Sequence, residues 1–193
     1  METEKESNPY IKLSDFTRPY GSGAIVYRVA WGFVQATLFR WSPRPFWSLR
    51  AFLLRLFGAR IGKGVRLDPS CKVSYPRQLT IGDNCWIGPN NELYNVAPIE
   101  LGNNVALAQH VKLYTASHDI SDPCFATVSA PILIEDCTWL AACSFVGPGV
   151  TVRQGAVLGA CSNAFEDLDP WSVYVGSPAR KIKNRVLKDL NSL

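Results

Sequence analysis

The chain holds only two histidines, has no C-x-x-C pair among its six cysteines, and nowhere runs through about 20 apolar residues without interruption. Each shortage removes a class of protein. Two imidazoles cannot furnish a three-histidine zinc site within one chain, and no catalytic metal is expected. The longest membrane candidate, Ala24 to Trp41, is broken by Arg28 and Gln35, so it reads as a helix docked on protein rather than a span. The opening Met-Glu-Thr-Glu-Lys-Glu lacks the basic start and apolar core of a signal peptide, which makes a reducing, cytoplasmic setting the expectation. In that setting Cys143 and Cys161 read as small apolar filler, 18 residues apart. Charged residues are also scarce, at 19% against 47% hydrophobic, which excludes a long disordered chain.

Charge placement says more than the net +4. Residues 1–66 carry eleven basic and four acidic side chains, residues 67–175 four and eleven, and residues 176–193 five and one. No distributed basic face results, so no nucleic-acid partner is expected. The basic C-terminus suits a local anionic ligand.

What is present in abundance is a six-residue repeat. From Ile61 an aliphatic residue returns at every sixth position: Ile61, Leu67 and Val73, then Ile81, Ile87 and Leu93, then Leu101, Leu107 and Leu113. The series resumes at Ile134 and runs through Leu140, Val146, Val152 and Leu158 to Ala164. Neither strand period 2 nor helix period 3.6 explains a strict 6. A solenoid does: each hexapeptide is a short strand plus a turn, three make a triangular coil, and the leading aliphatics stack inside at about 4.8 Å per coil. The Gly and Asn that follow them read as suppliers of unusual turn dihedrals.

Coil length is legible as well. Ile61, Ile81 and Leu101 are 20 apart while Ile134 and Val152 are 18 apart, so the early coils carry a two-residue bulge at one corner. Leu101 to Ile134 spans 33 residues, which requires an extruded loop, placed at 114–131. Loops on a rigid scaffold are where function concentrates. Open end coils invite aggregation and need caps. Residues 24–57 read as two helices around Ser42-Pro43-Arg44-Pro45, capping the first coil, while the arginines at 40, 44, 50 and 55 keep peripheral membrane contact open as their alternative role. Pro178 to Leu190 reads as a short basic helix. The division is an N-terminal extension and helical cap (1–58), a β-helix domain (59–175) and a C-terminal segment (176–193).

Four features together carry a resemblance: the repeat; the loop Tyr114-Thr-Ala-Ser-His118-Asp; the run Cys137-Thr-Trp139-Leu-Ala-Ala142 with Gly147-Pro-Gly-Val-Thr151; and Val175-Gly176-Ser-Pro178-Ala-Arg180-Lys-Ile182. On these, residues 61–187 resemble the hexapeptide-repeat acyltransferases. The repeat alone specifies only the fold, which nucleotidyltransferases, γ-class carbonic anhydrases and non-catalytic scaffolds share. Leu56-Phe-Gly-Ala-Arg-Ile-Gly, Tyr75-Pro76 and Ser117-His118-Asp119 with Asp122-Pro123 and Phe125 are similar to the colanic acid and exopolysaccharide O-acetyltransferases beside the galactoside, maltose and nodulation branch. The resemblance implies an all-β, left-handed parallel β-helix, an acetyl-CoA donor, a saccharide acceptor, and a homotrimer with active sites between subunits.

Acyl transfer to a hydroxyl requires a base, oxyanion donors and a site for the anionic carrier. His118, in the extruded loop, is the candidate base, since imidazole titrates near neutrality; the family match implies the same. His110 sits at an ordinary repeat turn and reads as structural. Cys124 is a conceivable nucleophile, but its loop supplies Asp119 and Asp122 rather than cations. Either carboxylate is a candidate to orient the imidazole or bind acceptor hydroxyls, with a solvated carboxylate the alternative. The resemblance implies the Ala142 N–H as oxyanion donor, Asn95 and Trp139 toward the acceptor, and Ala142, Gly159, Ala160 and Arg180 toward coenzyme A, with Lys181 and Lys183 adding charge. Glu166 departs from relatives, which often carry lysine there. The resulting expectation is a cytoplasmic O-acetyltransferase of polysaccharide biosynthesis, with association with the inner face of the membrane open. An amino-sugar or antibiotic acetyltransferase and a non-catalytic scaffold are the competing readings.

Overall fold

The computed structural model describes Ile11 and residues 22–188. The expected N-terminal extension before Ser22 and the last five residues lie outside the described residues, apart from Ile11. Two helices, α1 (Ser22–Val34) and α2 (Trp47–Leu56), precede a run of short strands in a parallel solenoid. α1 passes into a wide π-type turn over Gln35–Phe39.

Three sheets form the faces of the prism, and the register puts each leading aliphatic above the next. Ile61, Ile81, Leu101, Ile134 and Val152 stack on the first face. Leu67, Ile87, Leu107, Leu140, Leu158 and Tyr174 stack on the second. Val73, Leu93, Leu113, Val146 and Ala164 stack on the third. These columns form one continuous buried core. Each Ile, Leu or Val in it contributes roughly 1.5–3 kcal/mol by leaving water, so the fold stands without disulfides, and all six cysteines are free.

The corner between the first and second faces turns at Gly64, Asn84, Asn104, Cys137 and Gly155, all at positive φ. Glycine in the Ile/Leu-Gly pairs has another cause than the expected turn dihedral. A Cβ on Gly82 would stand 2.6 Å from the Gly102 carbonyl oxygen, and one on Gly62 would stand as close to that of Gly82. Close approach of adjacent coils, rather than φ, demands glycine there. Cys143 and Cys161 are corrected too: both are exposed, at turn positions with φ of 60° and 55°, not packed as filler.

The helices replace a missing coil. In the interior, the carbonyls of Ile81, Ile87 and Leu93 accept hydrogen bonds from Gly62, Asp68 and Ser74 of the coil above. The equivalent carbonyls of the first coil have no coil above them, and three side chains answer instead. Arg55 Nη2 donates to Ile61 O (2.7 Å), Arg50 Nε to Leu67 O (2.7 Å) and Trp31 Nε1 to Val73 O (2.7 Å). Gln35 Oε1 accepts from the Val73 N–H at 2.7 Å. All three faces are thereby closed.

At the far end the expected helix is absent. Arg180–Asn184 is a strand, antiparallel to Ser172–Val175. The outer edge of Ser172–Val175 would otherwise leave its backbone groups unpaired, and a returning strand satisfies them where a helix cannot. Arg185 fixes the strand's end, its Nη1 donating to Cys137 O (2.8 Å) and Gly155 O (2.9 Å).

Arg50 is fully buried, and besides Leu67 O its guanidinium donates to Ser42 Oγ, Pro43 O and Arg44 O. Burial lowers its pKa while the Asp68 charge opposes that. Arg50→Met is expected to strip these carbonyls of their donor and destabilise the protein by about 2–4 kcal/mol, read as a shift in urea denaturation.

Candidate acetyl-transfer site

The two-residue bulges and the large loop share one corner. Val73 and Ile81, like Leu93 and Leu101, are eight positions apart, but Leu113 and Ile134 are 21 apart, and later Val146 and Val152 are only six apart. The third coil therefore expands an existing irregularity. The expansion is a hairpin in which Ala116–His118 pairs antiparallel with Thr127–Ser129, His118 opposite Thr127.

His118 is exposed near the hairpin's tip. Its Nδ1 lies 2.7 Å from the Phe125 carbonyl oxygen. A carbonyl only accepts, so Nδ1 carries the proton and, in the neutral ring, Nε2 is the basic nitrogen. The Phe125 ring stands against the imidazole at 6.2 Å between centroids. Phe125 has φ of +51°, a conformation a bulky residue adopts only when its surroundings impose it. Asp122 imposes it: its Oδ1 accepts from the Cys124 N–H (2.8 Å), its Oδ2 from the Ala126 N–H (3.2 Å), and its carbonyl from the Phe125 N–H (2.9 Å). The carboxylate thus shapes the turn that presents the Phe125 carbonyl to His118. Sequence reasoning weighed Asp122 as a partner of the ring, a binder of acceptor hydroxyls or a solvated carboxylate; the turn it builds is a product of backbone geometry. Asp119 serves the same loop, with Oδ1 accepting from Ser121 N–H at 2.8 Å.

Tyr114, at the hairpin's root, is unsuited to proton transfer at neutral pH. Tyr114 donates to Glu92 Oε2 at 2.9 Å, and burial, followed by that bond and the Glu92 charge, pushes its phenol up to about 12. Cys124 is half-buried in the loop. His110 occupies a coil turn at φ +59°, its Nε2 3.5 Å from Asn90 Nδ2.

Asn95 is corrected. It is fully buried, its Oδ1 accepting from Tyr75 N–H (2.8 Å) and its Nδ2 donating to Tyr75 O (2.6 Å). Both amide atoms tie the second coil's bulge to the first, and none is presented to an acceptor. Trp139 lies on the second face, 47% exposed, in register between Ala106 and Val157. Ala142 and Ala160 stack at the corner between second and third faces, joined by the Cys161 N–H to Ala142 carbonyl bond (2.9 Å). Gly159 beside them is sterically required, because a Cβ would meet Val175 Cγ1 at 2.8 Å. Arg180 lies 3.5 Å from Glu166, and Lys181 lies 3.6 Å from Asp169, both pairs exposed and therefore weak. Lys183 is exposed, opposite Val173 in the terminal hairpin.

The hairpin leaves the corner between third and first faces, opposite the second face in a triangular prism. Within one chain, the root of the His118 hairpin and Trp139 thus lie on opposite sides of the prism. Among the described residues no group of three or more His, Cys, Asp or Glu is placed to hold a metal.

A triangular stack of hexapeptide coils with a histidine-bearing hairpin thrown out at mid-length defines a hexapeptide-repeat acyltransferase. No family model matches the chain. It is 44% identical over 176 residues to the Escherichia coli K12 protein named "Putative colanic acid biosynthesis acetyltransferase WcaF", covering 90% of this chain and 97% of that one. A Vibrio cholerae hexapeptide-repeat acetyltransferase, solved in complex with acetyl coenzyme A, superposes with TM-score 0.80 at 26% identity, over 89% of this chain and 93% of that one. A Clostridium difficile maltose O-acetyltransferase gives TM-score 0.75 at 26% identity, over 86% and 90%. The chain belongs to the hexapeptide-repeat acetyltransferases, left-handed β-helix enzymes that take acetyl-CoA as acyl donor, and within them to the family of WcaF.

Asp122→Ala is expected to lower kcat for acetyl transfer by up to about 10²-fold through misplacement of the ring, with KM for acetyl-CoA unchanged, while Asp122→Asn, which keeps one carbonyl acceptor, loses less. Steady-state kinetics on both variants measures this.

Proposed function

We propose that the protein transfers the acetyl group of acetyl-CoA to a hydroxyl of a saccharide carried on a nucleotide or lipid, in polysaccharide biosynthesis, with His118 as general base. The observation that carries this reading is the 2.7 Å bond from His118 Nδ1 to the Phe125 carbonyl, which leaves Nε2 as proton acceptor. Nε2 takes the proton of the sugar hydroxyl as its oxygen attacks the thioester carbonyl. The tetrahedral oxyanion is met by the Ala142 N–H. Collapse breaks the C–S bond, and the imidazolium returns the proton to the departing thiolate, releasing coenzyme A and an O-acetyl sugar. No acyl-enzyme intermediate is required.

The carrier lies along the corner formed by Ala142, Gly159 and Ala160, where small residues let the pantetheine arm approach the backbone. Arg180, Lys181 and Lys183 face its phosphates, and the exposed pairs of Arg180 with Glu166 and Lys181 with Asp169 exchange readily for phosphate. Asp119 and Trp139 border the acceptor. Because the hairpin's root and Trp139 lie on opposite sides of the prism within one chain, the site is completed by a neighbouring copy in a homotrimer, the hairpin of one protomer reaching the second face of the next.

His118→Ala is expected to cut turnover by about 10²–10⁴-fold with coenzyme A binding retained. Mixing unfolded His118→Ala and Ala160→Trp chains and refolding them together is expected to recover up to about one quarter of native activity, since a site with one intact half from each chain forms in that fraction of interfaces. No recovery would place both halves in one protomer. Product treated with hydroxylamine is expected to lose its acetyl group, as an ester does; a resistant acetyl identifies an amine acceptor.

A further inference from the structure

The cap helices carry two apolar faces, and the solenoid uses only one of them. α1 buries Trp31 against the first coil, yet Val26, Val29 and Phe33, spaced by three and four, remain 70%, 67% and 70% exposed. α2 buries Arg50, Leu53 and Leu54, yet Leu49, Phe52 and Leu56 are exposed. Trp41, between the helices, is 83% exposed. Trp31 and Arg50, which meet carbonyls of the first coil, lie on the buried sides, so these stripes face away from that coil. A helix apolar on both sides signals a second covering surface.

Charge identifies the cover. From Thr17 to Leu67 there is no Asp or Glu and there are nine Lys and Arg. Arg40 and Arg44 flank Trp41, both exposed; Arg44 makes a 3.6 Å ion pair with Asp68, the first carboxylate after the stretch. A second copy docked face to face would set these cations against their own equivalents, with no Asp or Glu between Thr17 and Leu67 to answer them and Asp68 already paired with Arg44. An anionic phospholipid surface supplies both the apolar layer and the opposite charge. No helix is long and apolar enough to cross a membrane among the described residues, which leaves attachment at the surface.

We propose that the outer face of α1 and α2 docks on an anionic phospholipid bilayer, its apolar stripe seated among the acyl chains and its arginines at the headgroups. The His118 hairpin springs from the third coil, two coil spacings or about 10 Å below the first. Resting on the acetyl-transfer reading above, this selects a lipid-linked saccharide, held at the bilayer surface, as acceptor.

The test is sedimentation of the full-length protein with vesicles of 7:3 phosphatidylcholine to phosphatidylglycerol, and of phosphatidylcholine alone. Association with the anionic vesicles is expected to exceed that with neutral ones and to fall as salt rises. Val29→Ser/Phe33→Ser/Phe52→Ser is expected to weaken it by more than about tenfold on both vesicles, and Arg40→Glu/Arg44→Glu by more than about tenfold on anionic vesicles only. Both variants are expected to keep native acetyl transfer to a soluble saccharide. That activity separates the two readings: vesicle binding without transfer overturns the enzymatic proposal, and transfer without vesicle binding overturns docking. Wild-type assembly beyond a trimer that the apolar substitutions dissolve would assign the face to another copy and overturn docking as well.

Discussion

The backbone of a parallel coil cannot satisfy itself. The N–H groups of Gly62, Asp68 and Ser74 are answered only by Ile81, Ile87 and Leu93 of the next coil, and so on along the tube. The constraint keeps every coil in register with its neighbours, brings the leading aliphatics into columns, and leaves the first coil with orphaned carbonyls on all three faces. Arg55, Arg50 and Trp31 exist at their positions to meet that requirement. A buried arginine is costly in isolation; Arg50 is tolerated because each donor it turns inward finds an oxygen, that of Leu67 among them.

The same rigidity lets a loop be aimed. Because the third-face to first-face corner already admits extra residues, a step of 21 positions from Leu113 to Ile134 leaves the register above and below intact. The hairpin then sets its own chemistry locally: Asp122 shapes the turn, the turn presents the Phe125 carbonyl, and the carbonyl selects the His118 tautomer. A prism also has direction. A hairpin rooted at the corner between the third and first faces starts from the side opposite the second face, which carries Trp139; the neighbouring copy proposed above answers that separation.

Capping occupies one side of the N-terminal helices, and the attachment proposed above concerns the other. A solenoid end accepts one face of each helix and has nothing to offer the other. Val26, Phe33, Phe52 and Leu56 are consequently exposed on a segment that carries nine Lys and Arg and no Asp or Glu from Thr17 to Leu67.

The amino-acid order by itself determined the solenoid, its coil lengths, the corner that opens and the histidine in the opening, because a strict six-residue period of buried aliphatics has one periodic solution and departures from it count residues directly. Only the tertiary structure decided what depends on neighbours distant in sequence. Asn95 matched an acceptor-binding pattern, yet the coil above it consumed both amide atoms. Lys-Ile-Lys near the end passed for a basic helix, yet the open edge of Ser172–Val175 recruited it as a strand. Gly62 and Gly82 passed for turn formers, yet the oxygen of the adjacent coil explains them. In each case local pattern left several conformations of similar free energy, and the hydrogen-bonding demand of a facing backbone chose among them.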